Sequence, residues 1–136
     1  MTWLASNAAV ATHLKSTVQL RRLFGAVVLD GADVITRGTE AELNRWYDKV
    51  HVPDVAATGV FKVGNRFQAL EETPGQPRFV NLWETEIEAI SQIFERLKPY
   101  AQAWRQKGRR WEGRVVSWRG AYRLITSMAA NQPIVR

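Results

Sequence analysis

The stretch NRWYDKVHVPDV, residues 44–55, holds one of the chain's two histidines. His51 is flanked by two carboxylates, Asp48 three residues before it and Asp54 three residues after it. Imidazole titrates near neutral pH. If a carboxylate fixes one ring nitrogen, the other is free to serve as general acid or base. Trp46 and Tyr47 lie just upstream and supply flat apolar surface for a ring-shaped substrate. A structural role fits the same position: a histidine in the last turn of a helix caps the final carbonyls, and the macrodipole there favours imidazolium.

Four further aromatics and two arginines extend the candidate set. Trp83 resembles Tyr47 in carrying a polar group that needs a partner when buried, which suits both to a binding site. Phe61 and Phe67 read as core. Arg66 and Arg78 alternate away from the phenylalanines and suit a substrate carboxylate, or else solvent or a partner subunit. Tyr122 suits proton donation or enolate stabilisation, or a plain buried hydrogen bond. His13 and His51 are too far apart in sequence to form a ligand-spaced metal cluster. The segment GADVITRG lacks a phosphate-cradling glycine pattern, and no serine nucleophile elbow is present.

These residues need elements to hold them. LFGAVVLDG (23–31) reads as a strand buried on both faces, ending in Asp-Gly. TEAELNRWYDKV reads as a helix, opened by a Thr39/Glu42 capping box and carrying Leu43, Trp46, Tyr47 and Val50 on one face. Pro53 disfavours helical geometry at Val52, so the spacing predicts that this helix ends at about residue 51. GVFKVGNRFQAL and RFVNLWETE alternate as two strands joined by the turn-rich EETPGQP. A second amphipathic helix carries Ile87, Ile90, Ile93, Phe94 and Leu97, with Pro99 as a kink or stop. RGAYRLITSM reads as the last strand. Residues 1–22 read as an extra N-terminal helix, leaving 23–136 as a single domain.

The order β-α-β-β-α-β predicts an α+β, ferredoxin-like architecture with two helices on one face of a four-stranded antiparallel sheet. Apolar residues fall on both sheet faces: Val80 and Leu82 on one, Phe79 and Trp83 on the other. A two-fold partner packing sheet on sheet is the economical cover for the second face.

Composition narrows the setting. The chain has no cysteine, so disulfides and thiolate metal sites are excluded and a cytoplasmic protein is the expectation. No apolar run reaches the roughly 20 residues that span a bilayer, and the N-terminal charges follow the mildly apolar stretch instead of preceding it, unlike an export signal. The net charge of +6 is concentrated late: residues 101–136 hold 8 Lys/Arg against the lone acid Glu112, while residues 1–100 hold 11 against 12. In that basic segment Trp104, Trp111 and Trp118 recur every seven residues among arginines. Phosphate contacts with base stacking, a gate for an anionic substrate, and a structural cover all suit it. Gly108 and Gly113 interrupt any helix that would align the tryptophans, so nucleic acid is the least favoured of the three.

AELNRWYDKVHVPDV, TGVFKVGNRF and PRFVNLWETE together resemble the dimeric α/β-barrel superfamily, and within it the EthD-like group, over about residues 23–100. The resemblance implies a homodimer whose two sheets close a barrel, each subunit with its own pocket between sheet and helices. It also implies an enzyme that works without metal or organic cofactor on a small aromatic or polyketide-like carbonyl compound. Cyclisation, decarboxylation, dehydration, isomerisation and quinone-forming oxygenation are the reactions of that group. Carried over to this chain, the His-x-Pro histidine is His51 and the preceding aromatics are Trp46 and Tyr47. The alternative is a non-catalytic module that binds a small molecule or nucleic acid on the same scaffold.

Overall fold

Strand β1 (Ala26–Val34) runs straight through the Asp30-Gly31 pair that reads in the sequence as its end. Gly31 is needed there for space: a Cβ on it would lie 2.2 Å from Trp118 Nε1. The computed structural model describes residues 25–128 and 130, so the N-terminal helix expected over 1–22 lies outside the described residues. β2 (Val63–Gln68), β3 (Phe79–Thr85) and β4 (Arg114–Arg123) complete a four-stranded sheet in the order β2-β3-β1-β4. Every neighbouring pair is antiparallel, as the ferredoxin-like reading requires. β4 begins and ends several residues earlier than RGAYRLITSM implied, because the ladder to β1 carries Val115 and Val116 into the sheet.

The register sorts side chains between two faces. Val28 lies opposite Trp83 and Ala121, and Asp30 opposite Asn81 and Arg119, on the face that the helices cover. The intervening residues Leu29, Leu82 and Asn65 share the outer face. Phe67 belongs to that outer face and is 53% exposed, so it is not the core residue its type suggested. Its neighbour Arg66 points inward instead. The period of two was legible, but the assignment of faces was inverted at this strand.

The first helical stretch is longer than expected. α1 (Glu40–Trp46) passes into a single wide π turn, Tyr47–His51, and then into α2 (Val52–Ala57) with Pro53 in its first turn. Proline lacks an N–H and is accommodated at a helix start, and the widened turn supplies such a start without breaking the rod. His51 is therefore inside a continuous helical segment and caps nothing. Nor does the capping box form. Thr39 Oγ1 donates to Thr36 O at 2.7 Å, and Glu40 accepts from Gly38 N. α3 (Ile90–Gln106) continues past Pro99 and ends where Gly108 takes φ 69°. Ile90, placed on the apolar stripe by its spacing, is exposed, while Ile93 is fully buried.

Two apolar clusters fix these helices to the sheet. Val28, Val55, Val60, Trp83 and Ile93 form one, with Phe61, Leu97 and Trp104 against it. Val34, Leu43, Tyr47 and Phe79 form the other, joined by Trp46 and Trp111. Beside the first cluster, against Val28, Val55, Trp83 and Leu97, the interior stays open. Among the described residues no helix is long and apolar enough to cross a membrane.

Candidate active site

The π turn decides where His51 goes. Inserting one residue into a helical turn shifts the angular position of everything after it, and such turns recur at functional sites. Here the imidazole lies flat on the Trp46 indole, with ring centroids 4.6 Å apart and planes 13° from parallel. Trp83 from β3 and Trp104 from α3 stand nearly perpendicular to the ring, at 6.1 Å and 5.8 Å. Neither ring nitrogen makes a hydrogen bond among the described residues. Burial among these aromatics, and then the positive charge of Arg114, push the His51 pKa down to about 3, against a weaker upward pull from Asp54. The imidazole is thus neutral at physiological pH, the reverse of the imidazolium that a helix terminus would favour.

Neither flanking carboxylate orients the ring. Asp48 is exposed and comes only within 3.9 Å of Arg66. Asp54 forms a bidentate pair with Arg109, whose Nε and one terminal nitrogen donate at 2.7 Å and 3.0 Å. The backbone carbonyl of the same Arg109 accepts from Trp46 Nε1 at 2.8 Å. Asp54 and Trp46 together therefore pin the link between α3 and β4 against the helix that carries His51.

His51 faces a cavity of about 350 Å³ between the sheet and the helices. Trp83, Trp104 and Phe61 contribute flat apolar walls, and Asp30, Arg114 and Arg119 enter from β1 and β4. The volume lies near the lower end of the roughly 300–1,000 Å³ typical of small-molecule sites.

Asp30 was missed in the sequence, where it read as half of a strand-ending turn. It is 5% exposed, accepting from Asn81 Nδ2 at 2.6 Å and from Trp83 Nε1 at 3.3 Å. Asn81 also donates to Tyr47 Oη at 3.1 Å, and Arg114 donates to the same oxygen at 3.0 Å. The chain Trp83–Asp30–Asn81–Tyr47–Arg114 meets the cavity at Trp83, Asp30 and Arg114, and its fully buried links Asn81 and Tyr47 fix the direction of both ends. The available signal was an acid within an otherwise apolar strand, which needs partners when buried.

The other anticipated residues divide. Trp83 lines the cavity with His51, and Trp46 backs the imidazole. Tyr47 is fully buried beneath the site. The Arg66 guanidinium lies over its ring at 4.0 Å and donates to Asn44 and Asn81, and burial lowers its pKa. Arg78 is paired with Asp33 and Glu40, away from the cavity. Tyr122 is 51% exposed on the outer sheet face, remote from His51's cavity. The three evenly spaced tryptophans point three ways: Trp104 into the cavity wall, Trp111 into the second cluster, and Trp118 over Gly31 on the outer face. They make no stacking ladder. Among the described residues no three His, Asp or Glu side chains converge as a metal site would require.

No family model matches the sequence, and no curated protein matches it. Solved structures do. HapK from Hahella chejuensis superposes with a TM-score of 0.57 at 8% identity, covering 76% of this chain and 96% of its own. An EthD-like protein from Ralstonia eutropha JMP134 superposes at 0.53 with 9% identity, covering 78% and 97%. At these identities the likeness concerns the fold, and it agrees with the resemblance that the His-x-Pro segment and its flanking strands carry. The chain has the ferredoxin-like fold of the EthD-like proteins.

Proposed function

We propose that the protein is a small enzyme performing acid/base chemistry on an aromatic or polyketide-like carbonyl compound, with His51 as the proton-handling group. One observation carries the reading: a neutral imidazole without a hydrogen bond, bracketed by Trp46, Trp83 and Trp104, at the wall of a cavity sized for a small ring system. A half-buried polar ring that is offered no internal partner has its lone pair available to a ligand.

The step this geometry suits is removal of a proton from carbon next to a carbonyl. The C–H bond breaks, an N–H bond forms on the imidazole, and the electron pair moves onto the carbonyl oxygen as an enolate. Arg119 and Arg114 supply positive charge for that oxygen. The imidazole is a weak base, and part of that weakness comes from the two arginines. Negative charge developing on the substrate offsets their field and strengthens the base as the reaction proceeds. Cyclisation, isomerisation and decarboxylation all pass through such an enolate, and work without a cofactor belongs to the same proposal.

The proposal includes a homodimer. Phe67, Val115, Trp118 and Tyr122 expose large apolar surface on the outer sheet face, the face a second copy would cover. The test of the chemistry is exchange of the benzylic protons of phenylacetone and phenylpyruvate in D2O. Wild type should accelerate exchange with at least one of them, and His51→Gln should not.

A further inference from the structure

The inner face of a sheet covered by helices is ordinarily apolar, yet β4 contributes Arg114 and Arg119 to it. Arg110 reaches the same cavity from the link between α3 and β4, and Arg105 and Lys98 reach it from α3. Among the described residues lining it, Asp30 is the only acid. Its oxygens are committed to Asn81 and Trp83, and it makes no ion pair with Arg119, although the two stand opposite each other in the β1–β4 register. Lys98 is paired with Glu95 and Arg114 with Tyr47 Oη. Among the described residues, Arg105, Arg110 and Arg119, which line the cavity from its exposed side, form no ion pair and no side-chain hydrogen bond. Elsewhere, arginines that approach the interior are satisfied: Arg78 by Asp33 and Glu40, Arg66 by Asn44 and Asn81. The cavity thus gathers three arginines that no protein group partners.

Resting on the function proposed above, we infer that the compound taken by this cavity carries a carboxylate or equivalent anionic group, seated among Arg110, Arg114 and Arg119, with its ring against Trp83 and Trp104. A guanidinium pairs with a carboxylate through two parallel hydrogen bonds. Such an anion would relieve the mutual repulsion of cations that share one cavity with a single committed acid. It would also cancel part of the field that Arg114 and Arg119 exert on His51, so that binding the correct substrate raises the basicity of the catalytic ring. The clasp of Arg109 on Asp54, with Trp46 Nε1 on the Arg109 carbonyl, then has a role. It fixes the link that presents the adjacent Arg110.

The experiment compares 2-naphthoate with its neutral isostere 2-naphthamide by calorimetry on the full chain, with inorganic phosphate as competitor at constant ionic strength. The naphthoate should bind at least about tenfold tighter than the amide, because both partners of the hydrogen-bonded pair are then ionised instead of the guanidinium alone. Arg119→Gln should bring the two affinities together by weakening the naphthoate several-fold more than the amide, and phosphate should compete weakly. If Arg119→Gln fails to fold, Arg110→Gln, on the exposed link, serves in its place. Equal or tighter binding of the amide overturns the inference and leaves the cavity as a site for neutral rings. Displacement of naphthoate by phosphate at equal concentration overturns the aromatic seat. Binding of neither naphthalene overturns this inference and the proposed site together.

Discussion

The imidazole of His51 and the indole of Trp46 lie face to face, 4.6 Å between centroids and 13° from parallel. The two residues are five apart in sequence, and the π turn between them lets the later ring stack on the earlier one. Trp46 is itself held by its hydrogen bond to the Arg109 carbonyl, so the imidazole rests on a fixed platform. Stacking excludes water from one face of the ring, and the perpendicular Trp83 and Trp104 restrict access at its edges. This burial is the largest source of the low basicity, with the charge of Arg114 next.

That environment has a consequence for stability. An unfolded His51 titrates at about 6.5, and the folded one at about 3. Below pH 6.5 the unfolded chain takes up a proton that the native state refuses, so the native state loses ground as pH falls towards 3. Linkage caps the slope from this group at about 1.4 kcal/mol per pH unit. Asp33, held down to about 2 by its hydrogen bond to Arg78, contributes its loss only below 3.8, outside that upper range. Urea midpoints measured between pH 6.5 and 5 should therefore fall with pH in wild type and stay nearly level in His51→Gln. A wild-type midpoint that does not change over this range would mean the ring is solvated.

Much of this arrangement was legible in the sequence. Alternation in PRFVNLWETE put Phe79 and Trp83 on the face opposite Val80 and Leu82, and the order of elements implied the sheet. The site was legible less completely, for local reasons. Pro53 read as a stop because a residue before proline disfavours α geometry, yet Val52 takes it, and after the π turn Pro53 stands in a first helical turn, where its missing N–H costs little. Asp30 read as half of a turn because Asp-Gly usually is one; the partners that keep it in a strand, Asn81 and Trp83, lie about fifty residues away. Phe67 and Arg66 exchanged faces because period two says which residues share a face, and only the packing of helices says which face is inner.

Trp83 is held from two directions, and one can be tested by a single methyl group. A Cβ at Gly64 would stand 2.7 Å from Trp83 Cζ3 and 2.8 Å from Cε3. Gly64→Ala should push the indole off its position, weaken its bond to Asp30 and cost about 1–3 kcal/mol, as overpacked sites do. The Trp83 indole N–H resonance should shift and exchange faster with solvent. An unchanged resonance with unchanged stability would show that the ring has slack that the structure does not reveal.

The outer face should be where two copies meet. Light scattering at micromolar concentration should give a mass near twice 15.5 kDa, insensitive to salt because the exposed residues are apolar. Phe67→Glu places a charge near the end of β2 on that face and should shift the mass towards one subunit while leaving the circular dichroism of the fold intact. A wild-type protein of 15.5 kDa under the same conditions would rule out the dimer.

The central claim is that His51 moves protons, and the most direct measurement is the exchange of benzylic protons of phenylpyruvate and phenylacetone in D2O, followed by proton NMR with wild type and His51→Gln side by side. Circular dichroism and light scattering first establish that both proteins are folded and share one mass. The account predicts that wild type accelerates exchange above buffer with at least one probe, and that His51→Gln lowers the rate by roughly 10²–10⁴-fold, the range for loss of a positioned general base. Equal rates for the two proteins, or no acceleration by wild type with either probe saturating the cavity, would contradict it.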